Sequence, residues 1–305
     1  LVPLKFFFKI IFFLLNRIPI KINPTGLFFV DPPGPAIPVV DKHKFVLFFL
    51  AGYATLVALL YLFQRNILFV PGKKIPIIAD SLVPEMIEVF LKTGDGLELR
   101  SWFFKGQENK PIIIYFQGNA GTIFDRDNKA RQFIDHGYNL LFVGYRGYGG
   151  NPGTPNEKGF FLDSKAAIDF VQSEKFDQND IVLYGESLGT GVAINLAREV
   201  DVGSVILEAP YASITKVASE RYWFVPVRYL LKDKFNSISK VNGLTAPLLI
   251  IHGDEDDVIG LQHGKLLFNE ASAPKYMHIF EGANHGNLYE YDAIKAVDSF
   301  IKRHH

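Results

Sequence analysis

The chain has 305 residues, 48% of them apolar and 14% aromatic, a composition that excludes intrinsic disorder. It contains no Cys, which excludes a disulfide scaffold, a Cys-ligated zinc or iron–sulfur site and a cysteine nucleophile. The net charge of zero is unevenly spread: residues 1–75 carry nine Lys or Arg against two acids, leaving 23 basic and 30 acidic residues for the rest. That basic first quarter also holds 12 of the 28 Phe. It predicts a membrane or polyanion contact at the N-terminal end, and the acidic remainder carries no signal of a nucleic-acid-binding domain.

The chain opens on Leu1 and its first Met is Met86, which is expected of a processed product, a fragment or a non-AUG start. Residues 6–15 are apolar apart from Lys9, too short to span a bilayer but suited to its interface. Pro19, Pro24, Pro32, Pro33, Pro35 and Pro38 forbid a continuous helix across residues 19–40, which read as a linker. The whole of residues 1–44 forms an apolar, Pro-rich N-terminal segment. Residues 45–63 (FVLFFLAGYATLVALLYLF) hold no charge; as a helix they cover roughly 28 Å, close to the thickness of a hydrocarbon core. A single transmembrane signal anchor is expected there rather than a cleaved signal peptide, because the run is long and no small-x-small pattern follows it.

From about residue 76 the pattern changes. Apolar runs rich in Ile, Val, Phe and Leu predict strands at 86–92, 97–104, 111–116, 139–144, 180–184, 203–207, 247–252 and 276–280. Amphipathic stretches predict helices at 122–136, 159–174, 188–200, 261–271 and 287–302. Fully apolar strands separated by helices imply an α/β domain over 76–305 whose mostly parallel sheet is covered on both faces. Residues 211–240 lie between two predicted strands and exceed a minimal crossover. Their cluster Tyr222, Trp223, Phe224 and Pro226 suits either core packing or a small apolar cap, and in the second case Tyr222, Trp223 and Phe224 are candidate pocket residues.

The chemistry starts at Gly185-Glu186-Ser187-Leu188-Gly189. A predicted strand precedes it and a predicted helix follows, the setting of a nucleophile elbow in which a serine sits on a strained turn at a helix N-terminus. A serine hydroxyl needs a base. Of the eight His, His304 and His305 are terminal, His43 flanks the apolar run, and His136, His278, His263 and His252 fall within or at the ends of predicted elements, His252 as a packing residue. His285 stands in the loop after the last strand and can reach the carboxyl edge of the sheet. The orienting acid is expected in Gly253-Asp254-Glu255-Asp256-Asp257, with Asp256 favoured, Asp254 and Asp257 as competitors, and Glu208 as a further candidate. The order Ser187, Asp256, His285 is the order of α/β-hydrolase triads. Oxyanion donors are expected at the backbone N–H of Leu188 and of the loop Gln117-Gly118-Asn119-Ala120-Gly121, at Asn119 or else Ala120. The Gly-rich run 144–150 matches neither a dinucleotide nor a P-loop fingerprint, and no His-Glu-x-x-His occurs, so neither a nucleotide nor a catalytic metal is expected.

Taken together, YFQGNAG (115–121), GYRGYGGNPGTPNEKG (144–159), GESLGTGVA (185–193), HGDEDDVI (252–259) and GANHGNL (282–288) resemble the α/β-hydrolase superfamily. The branch they resemble is the membrane-anchored, Bem-like serine hydrolases, relatives of protein-depalmitoylating α/β-hydrolase-domain proteins and of serine-aminopeptidase-type domains. The resemblance covers residues 68–303. It implies a central sheet of about eight strands with the second antiparallel, Ser187 as nucleophile, Asp256 as acid, His285 as base and an oxyanion hole at Asn119 and Leu188. Gln117, Gly150 and Gly260 depart from the usual His, Ser and Pro of the pattern. The expected protein is a membrane-anchored serine hydrolase of a carboxylic ester or thioester that needs no cofactor, with an acyl substrate and the lipid bilayer as its partners. A peptidase of the same fold is the alternative within the class, and a catalytically silent membrane scaffold the alternative outside it.

Overall fold

The computed structural model describes residues 42–305. The apolar stretch expected at 6–15 and the linker expected at 19–40 lie outside the described residues. Helix α1 runs Lys42–Leu68. Its stretch Val46–Leu68 is 23 residues long, apolar enough to cross a membrane and not buried, which makes it a membrane-anchor candidate. It continues past the uncharged run because Gln64, Arg65 and Asn66 are compatible with helix, and the first proline beyond it is Pro71. The chain divides into two units between Gly52 and Tyr53, and the second, Tyr53–His305, is compact.

The second unit is an α/β domain. Its strands are β1 Val70–Pro71, β2 Ile87–Lys92, β3 Glu98–Phe104, β4 Ile112–Phe116, β5 Ala120–Gly121, β6 Asn139–Val143, β7 Ile181–Glu186, β8 Ser204–Glu208, β9 Leu248–Gly253 and β10 Lys275–Phe280. Its helices after α1 are α2 Asp127–Asp135, α3 Glu157–Ser173, α4 Leu188–Ala197, α5 Ile214–Arg221, α6 Val227–Leu230, α7 Leu261–Glu270 and α8 Ala293–His304. Eight strands form one sheet in the order β10-β9-β8-β7-β4-β6-β3-β2. β3 pairs antiparallel with both β2 and β6, and every other pairing is parallel.

β4, β6 and β8 are buried at every position, which is why their sequences are continuous apolar runs rather than alternating ones. One face of the sheet packs under α3, α4 and α7 through residues such as Phe160, Val192 and Leu267. The other packs under α2 and α8 through Phe133, Ile294 and Phe300.

Three details differ from the sequence pattern. The stretch 122–136 opens with a 3-10 turn, Ile123–Arg126, capped by Thr122, before α2 begins. The stretch 287–302 is broken at Asp292, whose φ of 63° is left-handed, so a 3-10 turn Leu288–Tyr291 precedes α8. Finally, β1 pairs with β5 in a separate two-stranded sheet, a contact too short to leave a periodic signature.

Candidate active site

The candidate residues gather at the carboxyl ends of β7, β9 and β10, where a parallel sheet presents its loops. Ser187 follows β7 directly and stands one residue before α4. Its φ of 48° is left-handed, a strained conformation for a non-glycine residue. The surroundings hold it there. The Ser187 N–H donates to the Glu208 carbonyl at 2.9 Å, and the Ser187 carbonyl accepts from the Thr190 N–H at 3.0 Å and the Thr190 hydroxyl at 2.6 Å. The flanking glycines are required by close approach. A Cβ on Gly185 would lie 2.6 Å from the Gly189 carbonyl oxygen, and one on Gly189 would collide with the Phe116 carbonyl.

Ser187, His285 and Asp256 form one hydrogen-bonded line. His285 Nε2 lies 3.0 Å from Ser187 Oγ, and His285 Nδ1 lies 2.7 Å from Asp256 Oδ2. The Asp256 side chain has no solvent exposure and that of His285 is about one-fifth exposed. Asp256 Oδ1 accepts from the N–H groups of Val258 at 2.9 Å and Ile259 at 2.8 Å. Burial opposes its charge, but hydrogen bonds from His252 and His285, the positive charge His285 can carry and the Ile259 N–H together hold its carboxyl well below the usual carboxylate range. The three other acids weighed for this role are placed elsewhere. Asp254 and Asp257 are exposed. Glu208 is buried and bonded to Lys129 Nζ at 2.7 Å and to the Tyr184 hydroxyl at 2.6 Å.

The loop after β4 lies against the elbow. A Cβ on Gly118 would sit 3.5 Å from Ser187 Cβ and 2.9 Å from Glu186 Oε1. Asn119 is held on three sides. Its carbonyl accepts from the Val70 N–H at 2.9 Å and the Tyr148 hydroxyl at 2.8 Å, and its side-chain Nδ2 donates to the Leu68 carbonyl at 3.0 Å. Leu188, the other expected donor, is the first residue of α4 and is buried, so its N–H is one of those a helix leaves without an intrahelical partner.

The aromatic trio is placed beside α1. The Tyr222 and Trp223 rings stand edge-on to Phe224, Trp223 is 82% exposed, and the Phe224 carbonyl accepts from the Tyr53 hydroxyl at 2.8 Å.

Two groups of residues escape the sequence reading. His252 is fully buried behind Asp256, with Nε2 3.3 Å from Asp256 Oδ2 and 2.8 Å from the Ile259 carbonyl. It is a neighbour of the acid and not only a packing residue. The i, i+4 spacing to Asp256 is visible in the sequence, but its meaning depends on how the loop folds back. The second group lies beneath the elbow. Glu186 pairs with Arg126 at 2.8 Å and Lys129 at 3.0 Å, Lys129 pairs with Glu208 at 2.7 Å, and the Tyr115 hydroxyl donates to Glu186. Arg126 Nη1 also donates to the Ala120 carbonyl at 2.7 Å, which braces the same loop. Burial disfavours the charge on Glu186, yet Lys129 and Arg126 hold its carboxyl well below its ordinary value. Partners some 60 residues apart leave no local signal.

The chain is similar to known proteins in sequence and in fold. A family model described as serine aminopeptidase, S33, matches residues 107–239. The α/β-hydrolase domain-containing protein 17B of Homo sapiens is 31% identical over 231 residues, covering 72% of this chain and 76% of that protein. The lysophosphatidylserine lipase ABHD12 of Xenopus tropicalis is 31% identical over 214 residues, covering 63% of this chain and 55% of that protein. Among solved structures, the esterase Pf2001 of Pyrococcus furiosus superposes with a TM-score of 0.63 at 19% identity, covering 77% of this chain and 97% of that one. At that identity the likeness shows the fold.

Proposed function

The chain belongs to the α/β-hydrolase family, and from that premise we propose that it is a membrane-anchored serine hydrolase cleaving a carboxylic ester or thioester with an apolar acyl part. The observation that carries this reading is the line Ser187 Oγ, His285 Nε2, His285 Nδ1, Asp256 Oδ2, with spacings of 3.0 and 2.7 Å.

Ser187 Oγ attacks the substrate carbonyl carbon while its proton passes to His285 Nε2. The oxygen that gains charge accepts hydrogen bonds from the N–H groups of Leu188 and Asn119. His285 then gives its proton to the departing alkoxide or thiolate as the C–O or C–S bond breaks, leaving an acyl ester on Ser187. Water, deprotonated by His285, attacks that ester; collapse frees the carboxylic acid and returns the proton to Ser187. Asp256 holds Nδ1–H in place and stabilises the imidazolium formed in each half-reaction.

The bilayer part of the proposal rests on Val46–Leu68, long and apolar enough to cross. The lipid character of the substrate is supported by that helix, by the aromatic trio beside it and by the relative named as a lysophosphatidylserine lipase. The description of the matching family model favours a second reading, a serine peptidase using the same three residues.

A fluorophosphonate probe on the detergent-solubilised chain is the test. The parent labels, and Ser187→Ala and His285→Ala do not, with turnover falling about a million-fold in each. A folded parent that stays unlabelled, or a Ser187→Ala variant that labels, overturns the reading. Turnover of short peptides with none of acyl esters or thioesters would replace it by the peptidase.

A further inference from the structure

The segment between β8 and β9 runs alongside α1. The Tyr53 hydroxyl donates to the Phe224 carbonyl at 2.8 Å, and Gln64 Nε2 donates to the Leu230 carbonyl at 3.2 Å. The Lys232 N–H donates to Gln64 Oε1 at 2.7 Å, and Arg65 Nε meets Asp233 Oδ2 at 2.7 Å. Tyr53 and Gln64 are eleven residues apart, which is roughly 16 Å along a helix axis. Residues 222–232 therefore cover that length of the candidate anchor. An interfacial layer on one side of a bilayer is only about 5–8 Å thick. Even with α1 tilted by about 40°, the separation along the membrane normal stays near 12 Å. When α1 crosses the bilayer with Gln64–Asn66 at the water edge, this segment cannot remain wholly in water.

Its composition and bonding suit that position. Trp223 is 82% and Tyr229 83% exposed, a large apolar display for a water-facing loop and the residue types that favour membrane interfaces. The segment is irregular between α5 and α6 and includes Pro226, so part of its backbone has no helical partner. Irregular backbone at membrane depth must be satisfied by protein. Tyr53 and Gln64 reach out of α1 to do this, taking the Phe224 and Leu230 carbonyls and the Lys232 N–H. Near the Gln64 end Arg228 is exposed, and the one acid between it and Lys234, Asp233, is taken by Arg65. The edge of the segment is thus cationic, as a contact with anionic headgroups requires.

We propose that residues 222–231 are a second membrane-contacting element, reaching from the apolar–polar interface into the acyl region of a phospholipid bilayer beside α1, with anionic headgroups on Arg228. The inference rests on the reading of α1 as an anchor and extends it to the part of the domain that would meet acyl chains.

Trp102 and Trp223 are the two tryptophans of the chain, and Trp102 is fully buried in the core. The difference in emission between the parent and Trp223→Phe therefore reports Trp223 alone. The full chain is reconstituted in vesicles of phosphatidylcholine and phosphatidylserine, with plain acyl chains or with bromine placed high on the chains. Co-flotation with the vesicles reports the anchor; quenching reports this segment. The expected result is a Trp223 emission shifted to shorter wavelength and weakened by the brominated lipid, less so when phosphatidylserine is left out, while Trp223→Phe is unaffected by bromine. Protein that floats with the vesicles but whose Trp223 is not quenched overturns the proposal. A blue shift without quenching also overturns it, since a protein surface, a second copy included, would then cover Trp223. Quenching indifferent to phosphatidylserine removes the role given to Arg228. Protein that does not float removes the anchor and this element together.

Discussion

At the scale of single residues, the site combines parts that are plain in the sequence with parts that are not. Ser187 and His285 stand out because their neighbours are informative: one sits in a Gly-bounded turn between strand and helix, the other in a loop after the last strand. Asp256 is harder to separate from Asp254 and Asp257 by sequence. What distinguishes it is burial, with two backbone N–H groups on one carboxylate oxygen and His285 on the other. Asp256→Asn keeps the volume but reverses the hydrogen-bond demand on Nδ1, so turnover is expected to fall about 10⁴-fold with little loss of folded protein; steady-state rates beside a thermal melt check both halves. Beneath the elbow, Lys129 neutralises Glu186 and Glu208 together. Lys129→Met leaves the buried Glu208 and the partly buried Glu186 short of a partner and is expected to cost about 3–5 kcal/mol, read from denaturant unfolding. The same cluster sets a pH dependence. Because Glu186 has a depressed carboxyl in the folded state, its contribution is present above the unfolded glutamate value of about 4.3 and is lost as pH falls toward the folded one. Melting temperature should therefore drop on acidification below about pH 4. Glu186→Gln should start lower at neutral pH and show a shallower acid limb.

At the scale of elements, the legible parts are those whose burial is uniform. β4, β6 and β8 are buried at every position and read as strands without ambiguity, and their order along the chain leads to a mostly parallel sheet. Elements set by single contacts are not legible. β1 and β5 have two residues each, and the break before α8 depends on the left-handed Asp292. The residues 211–240 mark themselves as an insertion by length, but their alignment along α1 depends on the hydrogen bonds of Tyr53 and Gln64, which no periodicity announces. The elbow is an element whose geometry has a definite steric requirement. A methyl group on Gly189 would collide with the Phe116 carbonyl at the end of β4, and backbone cannot rotate away as a side chain can. Gly189→Ala is expected to lower both stability and fluorophosphonate labelling, by at least about 1–3 kcal/mol in the first case. A variant as stable and as reactive as the parent would mean the turn has more room than its packing indicates.

At the scale of the whole molecule, residues 45–63 are the most readable feature of the N-terminal quarter, since 19 uncharged residues in a row are long enough for a membrane span. The full chain is expected to stay in the membrane fraction through an alkaline carbonate wash, and its release would count against the anchor. The end of that helix does more than stop. The Leu68 carbonyl accepts from the Asn119 side chain, the Val70 N–H donates to the Asn119 carbonyl, and Val70–Pro71 pairs with Ala120–Gly121. The end of α1 and the loop beside Ser187 are therefore held to one another. Mechanically, the C-terminal end of α1 is clamped to the loop beside the candidate nucleophile. A version cut at residue 76 would lose that clamp together with the helix.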